Sequence, residues 1–201
     1  MYKKISLITL LVLLVGCGRN AGVTGLPNSN SSQHDSSESE YAVYSTLLDE
    51  MFVHDDGPAV VVNRTSWESS VSGDPSKALK YVADNLPSDA APGALEDLRN
   101  RNQEAYVLNG RFMTKVKYIL ITEEEKDELA RTNDFWNAFA DKYRGQAMVT
   151  FSRVGFSRDM NQAIVYASEV CGWKCGRGDF VLLIKENNAW AIKQKVNVWV
   201  S

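Results

Sequence analysis

Met148-Val149-Thr150-Phe151-Ser152-Arg153-Val154-Gly155-Phe156 opens the stretch whose reading decides the fold. Three further runs rich in β-branched and aromatic residues follow it, Gln162 to Val170, Asp179 to Lys185 and Ala189 to Val200. Such composition favours pleated, half-buried backbone. The connectors are short: Ser157 to Asn161, Cys171 to Gly178, and Glu186-Asn187-Asn188. A parallel pair of strands needs a crossover of about a dozen residues, so connectors of this length join antiparallel neighbours. The sequence therefore predicts a four-strand antiparallel meander at the end of the chain.

Working outward, the residues before Met148 read mainly as helices. Tyr44, Leu47, Leu48, Met51 and Phe52 recur at helical spacing, which predicts a helix over residues 41–53. Asp74-Pro75 and Pro92 open two more, since proline suits the first turn of a helix. Thr122-Glu123-Glu124-Glu125 has the spacing of a capping box, and Phe135, Trp136, Phe139 and Tyr143 give the next helix an aromatic face that Gly145 ends. Ala59 to Val62 and Val116 to Ile121 are short buried strands. The fold class expected is α+β: N-terminal helices packed on one face of a curved, mostly antiparallel sheet that ends in the meander.

The amino terminus reads as an address. Lys3 and Lys4 precede an apolar run from Ile5 to Val15, too short for the roughly 20 residues that span a bilayer. Leu14-Val15-Gly16-Cys17 then resembles the lipobox of bacterial lipoproteins. That resemblance implies cleavage after residue 16, lipidation (palmitate among the acyl chains) of Cys17, and a membrane as partner. Gly18 rather than Asp at the next position implies, in a cell with two membranes, the outer one, facing the periplasm. Residues 17–40 form a Ser-rich stretch in which 28–40 carry no aliphatic or aromatic side chain. It is expected to be a flexible tether, with one folded domain over residues 41–201.

Removing Lys3 and Lys4 with the leader takes the formal charge from −3 to −5. A mildly acidic chain has no global electrostatic reason to bind nucleic acid. Of three cysteines, Cys17 goes to lipid. Cys171 and Cys175 remain in an exported protein, where disulfides persist. Strands before and after them must reverse direction, so a Cys171–Cys175 disulfide is expected, with Glu169 opposite Arg177.

The motifs Ser152-Arg153-Val154-Gly155-Phe156, Gln162 to Tyr166, the Cys171/Cys175 loop, Gly178 to Leu183 and the ending Trp199-Val200-Ser201 are similar to those of a family of secreted bacterial proteins with no established activity. The resemblance covers roughly residues 115–201 well and 41–114 loosely. It implies a fold, with a layout similar to nuclear-transport-factor-2-like or cystatin-like proteins, in which a curved antiparallel sheet wraps helices. It implies no reaction.

Candidate chemistry is sparse. His34 falls in the tether, and His54 beside Asp55-Asp56 is a base, a ligand or a surface turn residue. No His/Cys spacing suits a metal, no phosphate loop or nucleophile elbow occurs, and no cofactor is implied. Arg153, on a strand face shared with Val149 and Phe151, is an anion ligand or the partner of a carboxylate. Glu169, sharing a face with Val165 and Ala167, is an acid–base group or half of an ion pair. The expected function is non-enzymatic: an envelope lipoprotein that binds a protein or small ligand, or has a structural role. The alternative is an enzyme using Glu169, Asp49 or Tyr166 in a cone-like pocket. The anchor reading has a direct test: Cys17→Ser should leave the domain folded and release it from membranes on fractionation. Tight membrane association of that variant would reveal a different anchor.

Overall fold

The computed structural model describes residues 29–53, 57–67, 75–90 and 92–201. Cys17, His34 (as a side chain), His54 and Asp74 lie outside what is described. The elements in chain order are α1 (Ser29–Met51), β1 (Ala59–Val62), α2 (Pro75–Asn85), α3 (Pro92–Arg101), β2 (Tyr118–Ile121), α4 (Glu123–Ala130), α5 (Phe135–Tyr143), β3 (Met148–Phe151), β4 (Gly155–Phe156), β5 (Gln162–Gly172), β6 (Cys175–Glu186) and β7 (Ala189–Val200). One unclosed sheet runs β2-β1-β3-β5-β6-β7, and β4 also pairs with β5. The class is α+β, with β4 to β7 forming the antiparallel meander.

Three features differ from the sequence expectation. First, β1 pairs parallel with both β2 and β3, which makes one side of the sheet mixed. The intervening chain is long enough to carry the crossovers that parallel pairs need. Second, the helices cover both faces. The face carrying Ala59, Val61, Val149, Phe151, Val165 and Val181 packs on Tyr44, Leu47, Leu48 and Phe52 of α1. The opposite face carries α2 and α3 over Ile164, Tyr166, Phe180 and Leu182, and α4 and α5 over Val60 and Val62. The sheet is mostly antiparallel, as expected, but the helices expected on one face are divided between its two faces. Alternation along β1 explains it: all four residues are buried, so each face needs its own cover.

Third, α1 begins at Ser29, twelve residues before the expected domain start at 41. Its buried positions continue one turn upstream of Tyr44 to Glu40, which is 2% exposed. Ser37 also contacts the domain: its Oγ accepts from Arg111 Nη2 at 2.7 Å. The domain therefore starts inside the stretch read as tether. A Ser/Glu-rich segment looks solvated in sequence, but the position of Glu40 on the helix, not its polarity, decides its burial.

Local signals hold well elsewhere. Thr122 Oγ1 accepts from Glu125 N at 3.1 Å, and the Glu125 carboxylate accepts from Thr122 N at 2.9 Å, completing the capping box. The α5 helix ends on Arg144, which itself takes the left-handed conformation (φ 54°), one residue before the glycine expected to do so. The first predicted strand run is split: Ser152, Arg153 and Val154 interrupt it between β3 and β4. Gly155 follows because α3 lies directly on it. A Cβ there would sit 2.6 Å from Leu98 Cα, and closer still to Ala94 O and Leu98 N. Gly155→Ala should therefore push α3 off the sheet and cost about 1–3 kcal/mol, the usual range for overpacking, in urea unfolding. A variant as stable as the parent would show that α3 packs elsewhere.

Candidate functional site

The break between β3 and β4 interrupts the ladder at three residues, and each of their six backbone groups finds a partner. Ser152 N donates to Tyr166 O at 2.9 Å, and Ser152 O accepts from Tyr44 Oη at 2.8 Å. Arg153 N donates to Asn102 Oδ1 at 2.8 Å. Arg153 O accepts from Ser152 Oγ at 2.8 Å and Asn102 Nδ2 at 3.1 Å. Val154 N donates to Glu40 Oε1 at 2.9 Å, and Val154 O accepts from Arg101 Nη1 at 3.0 Å. Side chains from α1 and from α3 and the residue after it thus replace a strand neighbour.

Arg153, expected on a strand face, projects from this break. Its Nε and Nη2 donate to Glu40 Oε1 and Oε2, both at 3.0 Å, a two-point pairing that fixes orientation as well as charge. Its guanidinium also lies 4.5 Å from the centre of the Tyr106 ring. Arg101 Nη1 adds a second cation 3.4 Å from Glu40 Oε2. Burial opposes the charge on Arg153, but hydrogen bonding and attraction from Glu40 more than offset it and raise its pKa. Burial pushes the Tyr44 phenol well above its ordinary value, reinforced by the charge of Glu40. Both groups therefore keep their protons.

A second arginine sits at the carboxyl end of α1. The register sets Glu169 opposite Arg177, and Arg177 Nε lies 3.6 Å from Glu169 Oε2. Arg177 Nη2 donates to Met51 O at 3.2 Å, placing a cation at the carboxyl end of α1 where the helix dipole favours it. Arg153 and Glu169 therefore serve the middle and the carboxyl end of α1 and do not converge. Tyr166 lies on the other face of β5 from Glu169, and its Oη accepts from Trp199 Nε1 at 2.8 Å. Asp49 is held at α1 by Thr114 Oγ1 and by Lys115 N at 2.8 Å. Although burial works to raise it, these bonds bring its carboxyl below the usual range. Glu169, Asp49 and Tyr166 thus occupy three separate settings.

The Cys171–Cys175 disulfide is present, with Cα atoms 5.0 Å apart. It closes a tighter hairpin than expected, since β5 and β6 run to Gly172 and from Cys175, with only Trp173 and Lys174 between. The pairing slips by one residue at Cys171, and Gly172 takes φ 147°, a conformation that side chains disfavour. Gly178 instead makes room for the indole of Trp199.

Open surface remains at several clefts. Along α1, Tyr41, Ser45, Asp49, Arg111, Met113 and Trp190 line one of about 630 Å³. Another, of about 840 Å³, lies beyond the carboxyl ends of β1 and β3 and is lined by Arg64, Ser66, Gln103, Glu123, Lys126 and Thr150. Because β1, β2 and β3 run parallel, their carboxyl ends share this edge of the sheet. Its wall is fixed: Thr65 N and Ser66 N donate to Tyr106 O and Phe151 O, each at 2.9 Å. Lys126 Nζ donates to Glu123 Oε2 at 2.7 Å across the other wall. Among the described residues no cluster of three His, Cys, Asp or Glu has metal-binding geometry, and no helix is long and apolar enough to cross a membrane.

No family model, curated protein or solved structure matches the chain.

Sequence alone missed Glu40, Tyr44's hydroxyl, Arg101 and Asn102 as a set. The one signal was Glu40 standing four residues before Tyr44, on the apolar face. Arg153→Ala and Glu40→Ala should each cost about 3–5 kcal/mol in urea unfolding, because each strands a buried charge. The Glu40→Leu, Arg153→Met double variant should cost less than the two single losses together. A loss under about 1 kcal/mol in both single variants would show that the pair is not what secures α1.

Proposed function

We propose that the chain is an envelope lipoprotein, held to a membrane by lipid on Cys17, that works by binding, and that the crevice beyond β1 and β3 takes a small polar ligand. The observation that carries this reading is the division of labour among charged groups. Glu40, Arg153, Glu169 and Arg177 are engaged in fastening α1 to the sheet. The crevice presents Arg64, the Glu123–Lys126 pair and the hydroxyls of Ser66 and Thr150 on a pre-formed wall, the donor and acceptor mix that orients a polar ligand. The lipobox residues Leu14 to Cys17 support the anchor, with the outer membrane as its place in a cell that has two.

The enzyme alternative has less behind it, because its three candidate residues stand apart and one, Tyr166, is fully buried. A thermal-shift screen of the mature protein against amino acids, sugars and nucleotides tests the reading. A compound that raises the melting temperature of the parent but not of Ser66→Trp, which fills the crevice, is the expected result. Binding that survives Ser66→Trp moves the site elsewhere, and chemical conversion of the bound compound would favour the enzyme. Metabolic labelling with palmitate tests the anchor separately.

A further inference from the structure

We infer that the hairpin tip around Trp173 is a second membrane contact, which seats the end of the domain farthest along α1 on an anionic phospholipid surface. The inference rests on the lipid-anchored reading for the identity of the nearby membrane. Trp173 is 79% exposed at the two-residue tip between β5 and β6. An exposed indole at a hairpin tip has no role in the core, and here it is held rigidly: the Cys171–Cys175 disulfide closes the loop directly beneath it. The tip is the rim of an apolar cleft of about 470 Å³ formed with Ala130, Phe135, Trp136 and Val170. Val200, at the end of the paired strand, is 74% exposed.

The charges around this patch suit one occupant. Lys174 beside Trp173 and Arg131 beside Ala130 are both exposed. Two acids flank Arg131 in sequence: Asp134, engaged as the N-cap of α5, and Glu128, exposed in the last turn of α4. Tryptophan is enriched at the headgroup level of bilayers, where its ring is apolar and its N–H stays wet. Each cation near an anionic leaflet adds about a five-fold gain in partition. A stiff tip needs no ordering on contact, so little is lost on docking.

Reach is sufficient. Arg177, two residues beyond Cys175, bonds Met51 O, so the tip lies at the carboxyl end of α1. A helix of 23 residues is about 34 Å long. The twelve residues from Cys17 to Ser29 extend to at most about 40 Å. The anchor therefore lets the Trp173 end touch the same bilayer and keeps it at high effective concentration there.

The test uses the mature chain carrying Cys17→Ser, so that binding is read without the lipid. It is floated with vesicles of phosphatidylglycerol and phosphatidylethanolamine, or of phosphatidylcholine alone. The chain should float with the anionic vesicles, weaken in high salt, and lose at least ten-fold in bound fraction on Trp173→Ser with Lys174→Ser, while its melting temperature stays unchanged. Equal flotation of parent and variant, or none with anionic vesicles, overturns the inference. So does a concentration-dependent dimer abolished by Trp173→Ser, which would make a second copy of the chain the occupant. Failure of palmitate labelling at Cys17 would sink the anchor reading alone, since vesicle binding here is measured without it.

Discussion

The rest of the structure depends on the three-residue interruption between β3 and β4. A strand that breaks inside a sheet exposes backbone groups that must be bonded where water is scarce. Here Glu40 and Tyr44 reach in from α1 on one face, and Arg101 and Asn102 from the α3 side on the other. The break is therefore a rivet through the sheet. It joins both helical layers to one strand and fixes the position of α1 along the sheet, how α3 lies on Gly155, and how the first run becomes two strands that both pair with β5.

The rivet also explains the charge pattern. Glu40 accepts from Arg153, the Tyr44 hydroxyl and the Val154 amide, and pairs with Arg101, in a site that is almost closed to solvent. A buried ion pair is seldom worth more than an apolar contact of the same volume, but one partner without the other is costly. Such a pair selects geometry: α1 is secured near its middle only in the register that brings Glu40 under Arg153. At its carboxyl end Arg177 bonds the Met51 carbonyl and is itself held by Glu169. Two arginines from the sheet thus set α1's position along its axis, while Leu47, Leu48 and Phe52 supply the burial.

With these charges committed to architecture, the open clefts lie at the periphery. One lies beyond the carboxyl ends of β1 and β3, and the other lies beside the exposed Trp173 at the disulfide-closed hairpin. Both surfaces use elements that the hydrophobic core positions but does not fill.

The sequence by itself determined the meander, the capping box, the aromatic face of α5, the disulfide and the α+β class, because each rests on local periodicity or on residues a few positions apart. Tertiary structure alone decided that β1 pairs parallel on both sides, since four buried β-branched or small residues look the same in either direction. It also decided that helices cover both faces. Above all it decided the standing of Glu40 and Arg153, 113 positions apart in the chain. Alternation placed Arg153 on a strand face and composition placed Glu40 in a tether. Each reading was sound for its own neighbourhood, and both failed because a carboxylate becomes a core residue only when a cation from elsewhere in the chain is folded against it.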